Sequence, residues 1–228
     1  MSIADNLEAI QERMARAARR AGRDPEDIAL MAVTKTQPAE RIAEAYAAGQ
    51  RLFGENRVQE LAEKFGALGE LHDAQFHMIG HLQSNKVTKA AEIFAAVDSV
   101  DSVRLGERLN AAAETAGKSL DVLIEVNLGG EAAKSGVAAD SAELERILEA
   151  APGWRRLRIR GLMTVPPFTD DPEDARPYFR QLRELRERLG GLDVLSMGMS
   201  NDFEVAIEEG STCVRIGTGI FGERAKGW

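Results

Sequence analysis

Cysteine is nearly absent from this chain of 228 residues: Cys213 stands alone. One thiol excludes an internal disulfide and any cysteine-rich metal site, which suits a reducing compartment. Within the run "TCVRIG" it reads as a small core residue. Histidine is scarce too, with His72, His77 and His81 spread over a loop, a strand and a strand end. The four-residue spacing of the last two would align side chains on a helix but not here, so no metal site is indicated. No long apolar run occurs either. The opening "MSIADNLEAIQERMARAARRAG" carries Asp5, Glu8 and Glu12 and is neither a signal peptide nor a membrane span, so a soluble, cytoplasmic protein is expected. Positive charge is in deficit, since 29 Lys and Arg face 37 Asp and Glu, a net charge of −8. That balance argues against nucleic-acid or membrane partners and leaves small acidic or zwitterionic ligands, held by local positive sites. Low-complexity linkers are missing, and one domain over residues 1–228, acting as a monomer, is the expectation.

What the sequence does contain is regular alternation. Eight apolar or β-branched runs recur: "IALMAVTKT", "RLFGEN", "QFHMIG", "FAAVDSVD", "DVLIEVNL", "RIRGLMTV", "DVLSMGM" and "CVRIGT". Helical patterns separate them. Pro38 opens one to about Ala48, "VRLGERLNAAAETAG" closes at Gly117, and "DPEDARPYFRQLRELRERLGG" begins with acids and ends in arginines and glycines, as the helix dipole prefers. Eight βα units predict a single (β/α)8 TIM barrel rather than an open doubly wound sheet. An extra helix over residues 3–21 precedes the first strand with Ile3, Leu7, Ile10 and Met14 on one face, and it either packs on the barrel exterior or plugs its bottom. Gly129 to Ala139 is the longest irregular stretch.

A barrel places its active site at the C-terminal ends of its strands. In order, the strands deliver Lys35; Gly54, Glu55 and Asn56; His81; Asp98 and Asp101; Asn127; Met163 and Thr164; Ser200 and Asn201; Gly217 and Thr218. Lys35 is the one lysine of seven inside a predicted strand, and there it costs desolvation unless something anionic or covalent receives it. Arg215 repeats the problem in the eighth strand, which closes against the first, so two cations share one pocket unless Arg215 points outward. The loops after strands seven and eight, "GMSNDFEVAIEEG" and "IGTGIFGER", are where barrels often bind phosphate. Ser200 capping a helix near Asn201, with Gly217 and Thr218 beside it, would aim amides at an anion; a plain structural cap is the alternative. "GTGIFG" imitates a dinucleotide fingerprint, but it lacks the βαβ unit and the downstream acid. "WRRLRIR", residues 154–160, enters the sixth strand from the other end and reads as a solvated edge with local ion pairs.

These features resemble the barrel of fold type III pyridoxal 5'-phosphate (PLP) proteins, of which alanine racemase supplies the N-terminal example. More narrowly, "AVTKTQP", "FGENRVQE", "FHMIGHLQSNK", "VNLGGEAAKSG", "GLMTVPP" and "LSMGMSNDFEVAIEEGSTCVRIGTGIFGER" are similar to the YggS/PROSC family of pyridoxal phosphate homeostasis proteins, from about residue 30 to residue 224. The resemblance implies PLP held as a Schiff base on Lys35, its phosphate by Ser200, Gly217 and Thr218, and its ring nitrogen faced by Arg215, with Asn56 and Met163 lining the pocket. Gly219 stands where the family often has alanine. The resemblance also implies a carrier that buffers PLP, with apo PLP-dependent enzymes as recipients and no robust catalysis. Related racemases add a β domain carrying a tyrosine base, for which the chain after its eighth strand leaves no room. A weak racemase-like enzyme and a barrel for some other phosphate ligand stay open as alternatives.

Overall fold

The computed structural model describes residues 2–69, 71–130 and 135–222. Eight parallel strands close into a barrel: β1 (Ala29–Val33), β2 (Leu52–Glu55), β3 (Gln75–Met78), β4 (Ala96–Val100), β5 (Leu120–Asn127), β7 (Leu157–Met163), β8 (Val194–Ser196) and β9 (Cys213–Ile216). Each pairs with the next, and β9 returns to β1 with Ala29 opposite Cys213 and Met31 opposite Arg215. The two-residue β6 (Val137–Ala138) hangs on β5 outside the closed set, so the stretch expected to be irregular contributes a strand. Residues 131–134 of that stretch lie outside the described residues. All eight expected runs became barrel strands, because continuous β-branched and apolar segments separated by helices have no better way to cover both faces.

The principal hydrophobic cluster fills the layer between the barrel wall and its helices. α2 (Ala39–Ala47), α3 (Val58–Leu68), α4 (Val87–Ile93), α5 (Val103–Thr115), α6 (Ala142–Ala150) and α7 (Arg176–Leu189) supply its outer half, with α8 (Phe203–Glu208) and the single turn α9 (Thr218–Phe221). α1 (Ile3–Arg20) starts on a reciprocal cap between Ser2 and Asp5 and buries Ile3, Leu7, Ile10, Met14, Ala17 and Ala18 along one stripe. It lies on the barrel exterior against α8 and α9 and does not plug the bottom. Arg13 pairs with Glu204 at 2.8 Å, and Asn6 Nδ2 donates to the Ile220 carbonyl at 2.8 Å, which ties the first helix to the last turn.

The barrel interior is more polar than its jacket. Cys213, Asp98 and His77 face a cavity of about 190 Å³ at the N-terminal mouth, together with Ala29, Leu52, Asp121 and Arg160. Asp98 was expected on the C-terminal rim; it sits in the middle of β4, and His77 Nδ1 lies 3.1 Å from its Oδ1. Burial pushes the Cys213 thiol up to about 12, the behaviour of an inert core sulfur. The arginines that enter β7 form the expected edge of ion pairs, Arg158 with Asp121 at 2.7 Å and Arg160 with Asp193 at 3.2 Å.

Gly161 fixes how closely β7 approaches β8: a Cβ there would sit 1.9 Å from the Val194 carbonyl oxygen. Because that neighbour is backbone and cannot rotate away, Gly161→Ala is expected to spread the two strands. The expected loss is about 1–3 kcal/mol or more, read as a lower urea midpoint at unchanged slope.

Candidate functional site

The C-terminal mouth gathers most of the residues singled out from the sequence. β1 stops at Val33, so Lys35 sits in the turn that follows rather than inside the strand, and it is half-buried. The strand ladder continues one step further, with Thr34 N donating to the Gly54 carbonyl at 2.9 Å. Gln37 N then donates to the Thr34 carbonyl at 3.0 Å and closes the turn. Thr36 holds a φ of 63°, the left-handed region that a β-branched residue rarely occupies.

A buried ionic cluster lies against this turn. Glu55, at the end of β2, is fully buried; its Oε1 accepts from Thr34 Oγ1 at 2.7 Å and from Lys64 Nζ at 2.8 Å. Lys64, on α3, also donates to Glu60 Oε1 at 2.7 Å and to the Thr34 carbonyl at 2.9 Å. Glu60 Oε1 in turn accepts from the Thr36 amide. Burial raises the Glu55 carboxyl above its ordinary range, against the lowering by the Lys64 charge and its hydrogen bond. Sequence reasoning noticed Glu55 only as a polar strand end and missed Lys64. The Glu60–Lys64 spacing of four on a helix was the available signal.

Arg215 points inward, not into the helix layer. Its guanidinium is buried and donates to Ser196 Oγ at 2.8 Å and to the Thr164 carbonyl at 2.7 Å. Since Arg215 pairs with Met31, it stands four positions below Lys35 along the wall, and the two cations occupy different heights of the barrel. Burial weakens the proton's hold on Arg215, and the carboxylates of Asp98, Asp202 and Glu125 oppose that. Met163 is fully buried on β7 with Ser196 as its β8 partner.

On the β8–β9 side, Ser200 does not cap the following helix. α8 begins at Phe203, and Asp202 Oδ1 accepts from the Met199 amide at 2.6 Å instead. Ser200 Oγ reaches across to the next loop and accepts from Gly219 N at 3.4 Å, which brings Ser200 beside Gly217, Thr218 and Gly219. A Cβ on Gly219 would lie 3.0 Å from Ile216 Cγ2 and 3.2 Å from Ile10 Cδ1, so the turn is already crowded from below. Thr218 and Gly219 are exposed and Ser200 is half-buried. On the other side of the mouth, a cavity of about 590 Å³ is lined by Asn56, Gly80, His81, Glu125, Asn127 and Ser135, among others. Asn56, His81 and Asn127, all expected at the strand ends, are among the residues lining it. Glu125 Oε1 accepts from Ser135 Oγ at 2.8 Å, while its Oε2 is buried without a partner among the described residues. Burial raises this carboxyl too, with Asp101 adding to the rise, and Ser135, Arg215 and His81 opposing it.

Comparison with known proteins follows the same outline. The alanine racemase N-terminal domain family matches residues 6–225. A pyridoxal phosphate homeostasis protein of Aquifex aeolicus is 45% identical over 229 residues, covering 98% of this chain and 99% of the relative. A protein of the same name from Escherichia coli K12 is 44% identical over 228 residues, covering 97% of each. Among solved structures, PipY of Synechococcus elongatus with PLP bound is similar at a TM-score of 0.83 and 38% identity, over 97% of this chain and 100% of that one. An alanine racemase of Clostridium difficile shares the fold alone, with a TM-score of 0.72 and 15% identity over 58% of its own length.

Glu125→Gln keeps the oxygen that Ser135 requires and removes the ionisable group. The folded state holds the Glu125 proton more tightly than the unfolded chain, so wild-type stability from this group is full below the ordinary carboxylate range and is lost as pH rises through the folded value. The variant is expected to match the wild type at low pH and to exceed it once the pH has risen through the folded value, because a neutral amide avoids the cost of burying a carboxylate charge there. Urea titrations across pH measure the difference; equal stability at all pH values would contradict it.

Proposed function

The chain belongs to the alanine racemase N-terminal domain family, alongside the pyridoxal phosphate homeostasis proteins, and from that premise we propose that it binds PLP at the C-terminal mouth and serves as a carrier of the cofactor. The observation that carries the reading is Arg215. Its buried guanidinium is held by a hydroxyl and a carbonyl, and among the described residues no carboxylate lies within ion-pair distance of it. A cation kept in this way inside a barrel suits a ring nitrogen that accepts without taking up the proton.

Around that fixed point the other residues fit the group. Ser200 from one loop and Gly217 and Thr218 from the next lie together on the β8–β9 side and offer two hydroxyls to a phosphate, while Met163 and Asn56 belong to the wall and the adjoining cavity. Lys35 occupies the rim, where its amine would serve as the point of covalent attachment for the cofactor's aldehyde, with water released and nothing oxidised or reduced. When bound, PLP supplies the aldehyde for this link and an electron sink of reduced power, because Arg215 leaves the ring nitrogen unprotonated. That electronic handicap works against transamination and decarboxylation and favours storage and delivery, with apo PLP-dependent enzymes as recipients.

Purified protein mixed with PLP is expected to develop a visible imine band that borohydride fixes onto Lys35, located by peptide mapping. Lys35→Ala is expected to fold and to lack the band. At about 100 times the dissociation constant, PLP should stabilise the wild type by roughly 2.7 kcal/mol and the variant by less. A reduced adduct on Lys86 or another lysine, or robust amino-acid racemisation abolished in Lys35→Ala, would overturn the proposal.

A further inference from the structure

The turn that carries Lys35 is held in a way that the strand alone does not explain. Thr36 keeps its left-handed φ of 63° although it is β-branched, a conformation that persists only where surrounding contacts over-determine it. Those contacts are identifiable. The peptide before Lys35 is gripped through the Thr34 carbonyl, which accepts from Lys64 Nζ at 2.9 Å and from Gln37 N at 3.0 Å. The peptide after it is gripped through the Thr36 amide, which donates to Glu60 Oε1. Lys64 and Glu60 are themselves joined at 2.7 Å, and Glu55 anchors the ammonium from within the barrel end at 2.8 Å while also receiving Thr34 Oγ1. One ion pair on α3 therefore holds both peptide groups that flank Lys35.

We infer that Lys64 and Glu60 are positioning residues for Lys35: their pair sets the direction in which the Lys35 side chain leaves the backbone and so the ease of its covalent link to the cofactor. The inference rests on the Schiff-base reading of Lys35. Lys64 is not a second attachment point, because three acceptors surround its ammonium and its side chain is only 11% exposed. Its contribution is geometric, and geometry of this kind acts on the bond-forming step more than on non-covalent binding.

The test uses Lys64→Met, Glu60→Leu and the conservative Glu60→Gln, whose amide oxygen still accepts from Thr36. Two ligands separate binding from bond formation: PLP, and 4'-deoxypyridoxine 5'-phosphate, which has the phosphate and ring but no aldehyde. In Lys64→Met and Glu60→Leu the imine formed per bound PLP is expected to fall at least about tenfold, with affinity for the deoxy probe unchanged and Glu60→Gln close to wild type. Should Lys64→Met fail to fold, Glu60→Leu carries the same test from a partly exposed position. Imine yield unchanged in both variants, or a parallel loss of imine and deoxy-probe affinity, overturns the inference. Amide hydrogen exchange at Thr36 in ligand-free protein gives an independent arm, with protection expected in the wild type and lost in Lys64→Met. A wild type with no Lys35 adduct sinks the cofactor reading, and the clamp then stands or falls on that exchange measurement alone.

Discussion

A guanidinium buried inside a closed barrel constrains everything around it. Taking Arg215 out of water is costly, and only well-placed acceptors offset the loss. Ser196 and the Thr164 carbonyl supply them from the ends of two neighbouring strands, so the register of β7, β8 and β9 must be right to within one residue. Asp98, Asp202 and Glu125 add longer-range attraction from three other positions of the barrel. The closeness that Gly161 allows between β7 and β8 belongs to the same requirement, since those strands lead to both acceptors. The charge, the register and the glycine form one solution, not three features.

Polar satisfaction elsewhere sharpens the contrast between the two ends of the barrel. At the N-terminal mouth the buried acid Asp98 has His77, and the arginines of β7 have Asp121 and Asp193. The two buried carboxyl oxygens without partners among the described residues, Glu55 Oε2 and Glu125 Oε2, belong to residues at or near the C-terminal ends of β2 and β5. Unsatisfied groups in native proteins gather where structure yields to function. Here they fall on the same end as Lys35, Ser200 and Thr218, away from the mouth where Asp98, Asp121 and Asp193 each have a partner.

Much of this was legible in the sequence, and the rest was hidden for definite reasons. The eight strands followed from runs too apolar to face water on either side. Arg215 announced itself because an arginine in the middle of "CVRIG" needs an internal partner. The height at which it sits was not legible, since register between the first and last strands depends on barrel stagger, which no local pattern encodes. The same blindness extended β1 through Lys35: "AVTKT" has β propensity throughout, but the positive φ of Thr36 is imposed by Glu60 and Lys64 from another unit. Asp98 was assigned to the wrong mouth because a strand's usable end was read from where its apolar run stopped. Ser200 looked like a helix cap by composition, and only the approach of the Gly219 amide from the next loop gives it its role.

The hydrogen bond from Asn6 to the Ile220 carbonyl, with α1 lying on α8 and α9, has a consequence in time as well as space. α1 precedes every other described element in the chain, yet the surfaces that bury its apolar stripe are among the last described elements to be made. Domains can only condense around contacts already synthesised, and a loop of some two hundred residues closes late. The leading helix must wait, half-exposed, while the barrel wall is laid down strand by strand. Its docking and the contact between Ser200 and the Gly219 amide both need α9, which follows every barrel strand in the chain. The Ser200–Gly219 contact is therefore absent until all eight strands of the barrel have been made, and the seat of the first helix is absent with it.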